Sequence, residues 1–95
     1  MLSTIPLQLD KVTKENLKKD ILRAAIIAEL DAINLYEQMA EMTDDKHLKE
    51  ILLDVAREEK THVGEFQTLL LKLDQEQVEE MEDGRKEVEE MLEKG

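Results

Sequence analysis

Several residue types that usually stabilise a small fold are missing or rare in this sequence of 95 residues. It has no cysteine, which excludes disulfides, thiolate metal sites and thiol nucleophiles. It has no tryptophan and only one tyrosine, one phenylalanine and one proline, so a hydrophobic core must be built from Leu, Ile, Val, Ala and Met. With three glycines and 39% charged residues, this composition indicates long helices rather than a sheet.

Basic residues are also scarce. The sequence has 13 Lys and Arg residues and 24 acidic ones, which gives a net charge of −11. This charge disfavours nucleic acid and anionic membranes as partners. No uncharged run approaches the roughly 18 residues of a membrane span. The N-terminal residues lack the basic and apolar regions of a secretory signal. We therefore expect a soluble, cytoplasmic protein with neither a nucleic-acid partner nor a membrane partner.

Hydrophobic periodicity predicts two long helices joined by a short turn. An extended arm over residues 1–12 precedes a first helix over about 14–42, for which Thr13 is the expected N-cap. A second helix over about 45–73 follows, capped by Thr43 or Asp44. A connection this short joins antiparallel neighbours, so the two helices should form a hairpin.

A weaker third helix is predicted over about 75–92, with Asp74 as its cap. Its apolar seam is thin, Gly84 and Arg85 interrupt it, and we expect it to be mobile or to pack only in an assembly. The whole chain should form one small all-α domain. A chain of this size buries little surface alone, so oligomerisation is expected.

Acidic residues interrupt the apolar stripes of both long helices. Glu29 lies in a stripe of the first helix that runs from Leu22 to Ala40, and a second face, from Ile21 to Met42, predicts contact with more than one neighbour. In the second helix, Glu59 and His62 stand side by side within an otherwise apolar stripe. The apolar members of that stripe are Leu48, Leu52, Val55, Phe66, Leu69 or Leu70, and Leu73. A carboxylate buried without a partner costs several kcal/mol. A bound metal ion is an economical partner for such a group.

The turn brings these residues to the same height on the hairpin. Glu29 lies 15 residues before Asp44 (44−29) and Glu59 lies 15 after it (59−44), so the three side chains should converge. Di-iron and di-manganese bundles use Glu from two helices and Glu-x-x-His from the other two. One chain supplies half of that set, which predicts a homodimer that completes a four-helix bundle and a dinuclear site. Iron or manganese suits these ligands, and zinc would also bind.

The combination of Glu29, Tyr36 and Glu59-x-x-His62 resembles the encapsulated ferritins, the half-length branch of the ferritin-like superfamily. The resemblance covers about residues 14–73. It implies a ferroxidase that oxidises Fe(II) at a di-iron centre between two subunits. It also implies an annular homodecamer inside an encapsulin shell, a cytoplasmic nanocompartment in which the mineral iron is stored.

The resemblance also implies roles for individual residues. Glu29, Glu59 and His62 would be the iron ligands, and Tyr36 would donate a hydrogen bond to a ligand carboxylate. Asp31 would belong to a secondary iron site on the outer path to the centre. Ala28 and Leu35 depart from the Glu and Trp of some members. No shell-docking peptide is recognisable at the C-terminus, so the chain could be the ferritin-like domain of a fusion with the shell protein.

Two other functions remain open from the sequence. One is a rubrerythrin-like di-iron oxidase or peroxidase. The other is a non-enzymatic acidic helical module that mediates assembly, whose buried acids pair with Lys or Arg of a partner. His47 and Glu58 lie off the stripe and are expected at the surface.

Overall fold

The computed structural model describes residues 14–94 of the chain, with side chains from Asn16 onward. Over this range three α-helices follow one another and no strand occurs. They are α1 (Lys14–Glu41), α2 (Lys46–Leu73) and α3 (Gln75–Lys94). The all-helical fold class is therefore confirmed. The predicted N-terminal arm and the Thr13 cap lie outside the described residues.

Helices α1 and α2 form an antiparallel hairpin, and most of the packing between helices occurs within it. Each has 28 residues and is therefore about 42 Å long. The buried apolar side chains come equally from the two helices: Leu22, Ile33 and Ala40 from α1, and Leu52, Ala56 and Leu70 from α2. The three from α1 all belong to the stripe that contains Glu29, so the periodicity identified the inner face of α1 correctly.

The turn between α1 and α2 is held by local hydrogen bonds. Asp45 caps α2, since its carboxylate accepts a hydrogen bond from the Leu48 backbone N–H at 3.1 Å. The Thr43 hydroxyl oxygen accepts a hydrogen bond from the Asp45 backbone N–H, also at 3.1 Å. The predicted cap at Thr43 or Asp44 was therefore wrong by one or two residues, because Thr43 stabilises the turn before the cap. Helix α1 accordingly ends at Glu41.

Asp74 is the single residue between α2 and α3, and it joins three elements. Its carboxylate accepts a hydrogen bond from the Gln77 backbone N–H at 3.1 Å, which confirms it as the cap of α3. The same carboxylate accepts a hydrogen bond from the Arg23 guanidinium of α1 at 2.8 Å. Asp74 is buried, and its two contacts tie the start of α3 to the hairpin.

Beyond this joint, α3 projects away from the hairpin. The molecule measures 46 Å along two principal axes and 20 Å along the third. No side chain of α3 is buried, and its apolar seam is exposed from Val78 to Leu92. Arg85, which interrupts that seam, pairs with Glu82 and Glu89 on the helix surface. The expected mobility of α3 stays a prediction.

Part of the apolar surface of the hairpin is also uncovered within one chain. Ile21 and Met42, on the second predicted face of α1, are exposed. Leu48, Leu69 and Leu73, which the sequence assigned to the inner stripe of α2, are half exposed as well. Despite these apolar residues, none of the helices described could cross a membrane, given their length and polarity.

Candidate metal centre

Two carboxylates and one imidazole meet at the middle of the hairpin. Glu29 extends from the centre of α1, while Glu59 and His62 extend from neighbouring turns of α2. Because the two helices run antiparallel from a turn at residues 42–45, positions 29 and 59 lie at nearly the same height. The convergence that the sequence predicts is present in the structure.

The ligand atoms of these three residues are close enough to share one ion. His62 Nδ1 lies 3.3 Å from Glu59 Oε2 and 3.5 Å from Glu29 Oε2. One ligand atom from each residue can be chosen such that all lie within 4.8 Å of one another. Among the described residues, this is the one group of three or more His, Cys, Asp or Glu side chains with such spacing.

The burial of the group is uneven. The side chains of Glu29 and Glu59 are 20% and 18% exposed, whereas that of His62 is 45% exposed. Glu29 Oε2 itself is buried and has no hydrogen-bond partner. The His62 imidazole lies 3.5 Å from it, and no Lys or Arg side chain among the described residues pairs with it. The alternative in which Lys or Arg of a partner pairs with Glu29 stays a prediction.

This arrangement fits a cation. A buried acceptor without a hydrogen bond costs about 1–3 kcal/mol, and a neighbouring carboxylate adds repulsion. Glu29, Glu59 and His62 would hold a divalent ion, which would satisfy Glu29 Oε2. Carboxylate oxygens with one imidazole suit iron or manganese and would also accept zinc. Three donors from one chain would leave coordination positions for further ligands.

A second contact between the helices lies beside the group. Lys60 of α2 pairs with Glu37 of α1 at 3.1 Å. Both side chains are about half exposed, so the pair contributes at most about 1 kcal/mol to stability. Lys60 directly follows Glu59 along the chain, and its pairing favours the register in which Glu59 faces Glu29.

The other predicted site residues are not part of this group. Tyr36 is half-buried, seven residues after Glu29, and has no hydrogen bond to Glu29 or Glu59 within the described part of the chain. Asp31 is half-buried and lies nearly opposite Glu29 around α1, since two residues turn a helix by about 200°. His47 and Glu58 are exposed, as the sequence indicates.

One alanine contributes to the packing near the site, and its role was missed. Ala56 is only 1% exposed, which Ala40 alone matches among the described residues. Ala56 precedes Glu59 by three residues and therefore lies on the same face of α2. Its small side chain could have indicated this packing, because a small residue lets a neighbouring helix approach closely. The spacing of apolar residues instead predicts Val55 on the inner face.

Comparisons with known proteins identify the family. The sequence profile described as Rubrerythrin matches residues 20–94, well over half of the chain. The chain belongs to the rubrerythrin family. The resemblance to the encapsulated ferritins is confirmed too, because the crystal structure of the encapsulated ferritin domain from Pyrococcus furiosus superposes with a TM-score of 0.81. That match has 58% identity and covers 95% of this chain and 94% of the other.

Two relatives have names that refer to encapsulins. A ferritin-like–encapsulin shell fusion protein of Pyrococcus furiosus is 66% identical over 79 residues, covering 83% of this chain and 23% of that protein. The encapsulin nanocompartment cargo protein EncC of Myxococcus xanthus is 45% identical over 67 residues, covering 70% of this chain and 51% of that protein. This chain therefore matches only about half or less of each relative's length.

Proposed function

We propose that this rubrerythrin-family chain is a ferroxidase, which oxidises Fe(II) with dioxygen at a di-iron centre formed between two copies. The observation that carries the proposal is the group of Glu29, Glu59 and His62, with a buried Glu29 oxygen that lacks a hydrogen-bond partner. Such an oxygen is poorly satisfied in the chain alone and well satisfied by an iron ion.

The number of ligands supports a site shared between two copies. Di-iron carboxylate bundles use four Glu and two His, and one chain here supplies two Glu and one His. Two chains related by a two-fold axis would provide the whole set. Their four carboxylates (2 × 2) would carry a charge that two divalent ions balance, so repulsion within the iron-free site favours binding of Fe(II).

An uncovered apolar strip beside His62 supports the same arrangement. Leu48, Val55, His62 and Leu69 follow one another at steps of seven along α2 and share a face. Leu48 and Leu69 are 47% and 53% exposed within one chain. A second hairpin packed on this strip would bury both leucines and cover the open side of His62.

When iron is bound, each Fe(II) substrate gives one electron to dioxygen and leaves as Fe(III). The residues of the chain bind and position this substrate. Glu29 and Glu59 supply hard oxygen ligands whose charge favours divalent ions, and His62 directs Nδ1 toward both carboxylates. Tyr36, two turns along α1 from Glu29, would donate its hydrogen bond to a carboxylate once a second copy is present. Asp31 would hold iron on the outer path to the centre.

We further infer that the assembly is an annular decamer inside an encapsulin shell in the cytoplasm. The support is the likeness to a shell fusion protein and to a nanocompartment cargo protein. An open ring has no cavity of its own, so the ferric product would be stored as mineral in the surrounding shell. In this proposal residues 1–95 form a single half-bundle domain, which is either free-standing or fused to a shell domain.

The proposal predicts that oxidation of Fe(II) requires the three ligands. In a stopped-flow assay of Fe(III) formation, Glu29→Gln and His62→Ala should lower the rate to the background of iron in buffer. The matched controls are His47→Ala and Glu58→Gln, which alter an exposed histidine and an exposed glutamate outside the group. These controls should oxidise iron at the wild-type rate.

Thermal melts without metal test whether the variants fold. Glu29→Gln should melt no lower than the wild type, because it removes one of two facing carboxylates. If folded Glu29→Gln and His62→Ala both oxidise iron at the wild-type rate, the ferroxidase proposal is wrong.

A rubrerythrin-like di-iron oxidase or peroxidase is the second candidate, and the match to the Rubrerythrin profile supports it. Product analysis separates the two activities, since a ferroxidase accumulates ferric mineral whereas a peroxidase consumes hydrogen peroxide with little mineral.

The exposed apolar residues are also compatible with a non-enzymatic assembly module. Native mass spectrometry tests that function: no bound iron, together with unchanged assembly in Glu59→Ala, would support it.

A further inference from the structure

Three basic side chains of the hairpin lie within two helical turns of a candidate metal ligand along their own helix. They are Arg23, six residues before Glu29, and Arg57 and Lys60, two before and one after Glu59. A lysine or arginine that reached the ligand carboxylates would compete with Fe(II), because it offers positive charge and hydrogen-bond donors to the same oxygens. Metal binding at this centre therefore requires that these cations are held elsewhere.

Each of the three basic side chains pairs with an acid outside the candidate metal centre. The pairs are Arg23 with Asp74 and Asp20, Arg57 with Asp54, and Lys60 with Glu37. Within the part of the chain that the structure describes, none of the three forms an ion pair with Glu29 or Glu59, whose recorded partner is His62. The hairpin thus leaves the ligand carboxylates without a Lys or Arg of their own chain.

Lys60 is the basic residue closest to the centre along the chain. It leaves α2 one residue after Glu59, at nearly the height of Glu29, on a flexible four-carbon stem. Its ammonium contacts α1 at Glu37, at 3.1 Å, and Glu37 lies eight residues or about 12 Å nearer the turn than Glu29. The lysine stem is therefore directed along the hairpin toward the turn and away from the ligand carboxylates.

Glu29 offers the same ammonium an alternative partner. Its Oε2 atom is buried and has no hydrogen-bond partner, and Glu59 places a second carboxylate beside it. A lysine that turned toward this oxygen would satisfy it, and an acceptor of this kind is costly to leave unpaired. Without the negative charge of Glu37, Lys60 would therefore turn toward the centre.

We propose that Glu37 is a positioning residue, which pairs with Lys60 and so keeps a competing cation out of the metal centre. The inference rests on the proposed function, because it concerns Fe(II) binding by the same carboxylates. It gives the ion pair a role beyond stability, to which two side chains with 45% and 59% exposure contribute little.

The test separates loss of the ion pair from release of the lysine. Glu37→Gln and Lys60→Gln both break the same pair, but only Glu37→Gln leaves a free ammonium. Fe(II) affinity of the full-length chain is measured by isothermal titration calorimetry without oxygen. Glu37→Gln should bind Fe(II) roughly fivefold more weakly than the wild type, the scale of one such charge pair. Lys60→Gln should bind at least as tightly as the wild type, and the double variant should recover wild-type affinity.

A crystal structure of metal-free Glu37→Gln gives a direct readout of the lysine. Lys60 Nζ should then lie within hydrogen-bonding distance of a Glu29 oxygen. Thermal melts check that the variants are folded, and Glu37→Gln and Lys60→Gln should melt at similar temperatures because they lose the same pair. A purely structural role of the pair would weaken Fe(II) binding equally in these two variants.

Asp54→Asn is the matched control. It removes one negative charge and releases Arg57, as Glu37→Gln releases a lysine. Position 57 lies about 200° around α2 from Glu59, so the freed arginine faces away from the centre. Asp54→Asn should bind Fe(II) with wild-type affinity, whereas Glu29→Gln should retain only the weak affinity of the acidic surface.

The inference is wrong if Glu37→Gln binds Fe(II) as the wild type does, or if Asp54→Asn loses as much affinity as Glu37→Gln. It is also wrong if removal of Lys60 in the double variant restores no affinity. Failure of the proposed function has a different signature, namely equal Fe(II) affinity in the wild type and in Glu29→Gln.

Discussion

The hairpin of α1 and α2 and the single helix α3 are joined in one chain but are stabilised by different means. The hairpin buries six apolar side chains between its helices and places the candidate metal ligands among them. Helix α3 buries none, and its recorded side-chain contacts are ion pairs along its own surface and the cap at Asp74. The hairpin therefore depends on packing, whereas α3 depends on helix propensity and local charge.

This difference explains why the candidate metal ligands lie in the hairpin and not in α3. Among the described residues, Glu29 Oε2 of the hairpin is the one buried side-chain N or O atom that lacks a hydrogen-bond partner, and a bound cation would satisfy it. The exposed acids of α3 are solvated and give cations no enclosed site. Helix α3 is better suited to contacts with other molecules, because its apolar seam is free within one chain.

The largest expected effect comes from truncating one apolar side chain in each region. Leu70→Ala, at a buried position of α2, should lower the free energy of unfolding by about 2–5 kcal/mol through lost contacts and a cavity. Met81→Ala, in the proximal part of α3, should change the free energy of unfolding by no more than about 1 kcal/mol. Chemical denaturation followed by circular dichroism measures both. Equal losses would mean that α3 is packed as tightly as the hairpin.

A second test acts on the joint between the regions. The pKa of Asp74 is held below its ordinary value of 3.8, chiefly by the hydrogen bond from the Gln77 backbone N–H, with Lys19 and Arg23 lowering it further. A lowered pKa stabilises the folded joint above pH 3.8, and this stabilisation is lost as the pH falls through the folded pKa. The protection factors of the Gln77 and Val78 amides, which correct exchange rates for the intrinsic effect of pH, should therefore fall below pH 3.8, before those of the hairpin core.

Asp74→Asn is the control for this acid effect. Asparagine is also a good N-cap but does not titrate, so the protection factor of the Gln77 amide should then depend less on pH. If the acid dependence is the same in Asp74→Asn, other carboxylates of α3 cause it.

The smallest expected effect comes from the glycines within helices. A Cβ added at Gly64 of α2 or Gly84 of α3 would meet no atom within 4 Å, so alanine fits both positions. Each substitution should stabilise its own helix by up to about 1 kcal/mol. Gly64→Ala should raise the melting temperature of the hairpin, while Gly84→Ala should mainly raise the helicity of α3. A similar rise in hairpin melting for both variants would show that the two regions unfold together.

Much of the hairpin follows from local features of the sequence. The apolar residues of α1 recur at helical spacing, and its three buried positions were among those expected. Glu29, Glu59 and His62 were predicted to converge because a short turn makes distances along the two helices equal. The cap at Asp74 was predicted from its residue type, whereas the cap of α2 was misassigned because Thr43, Asp44 and Asp45 are all good cap residues.

The sequence by itself determined the helices, the inner face of α1 and the residues that meet at mid-height of the hairpin, since each depends on helical spacing and on one turn. The tertiary structure alone decided that Glu29 Oε2 has no hydrogen-bond partner, that Ala56 is enclosed and that His62 stays half exposed. It also decided that α3 projects from a joint between Asp74 and Arg23, 51 residues apart. These features depend on which atoms from distant parts of the chain come into contact, and no spacing along one helix specifies that.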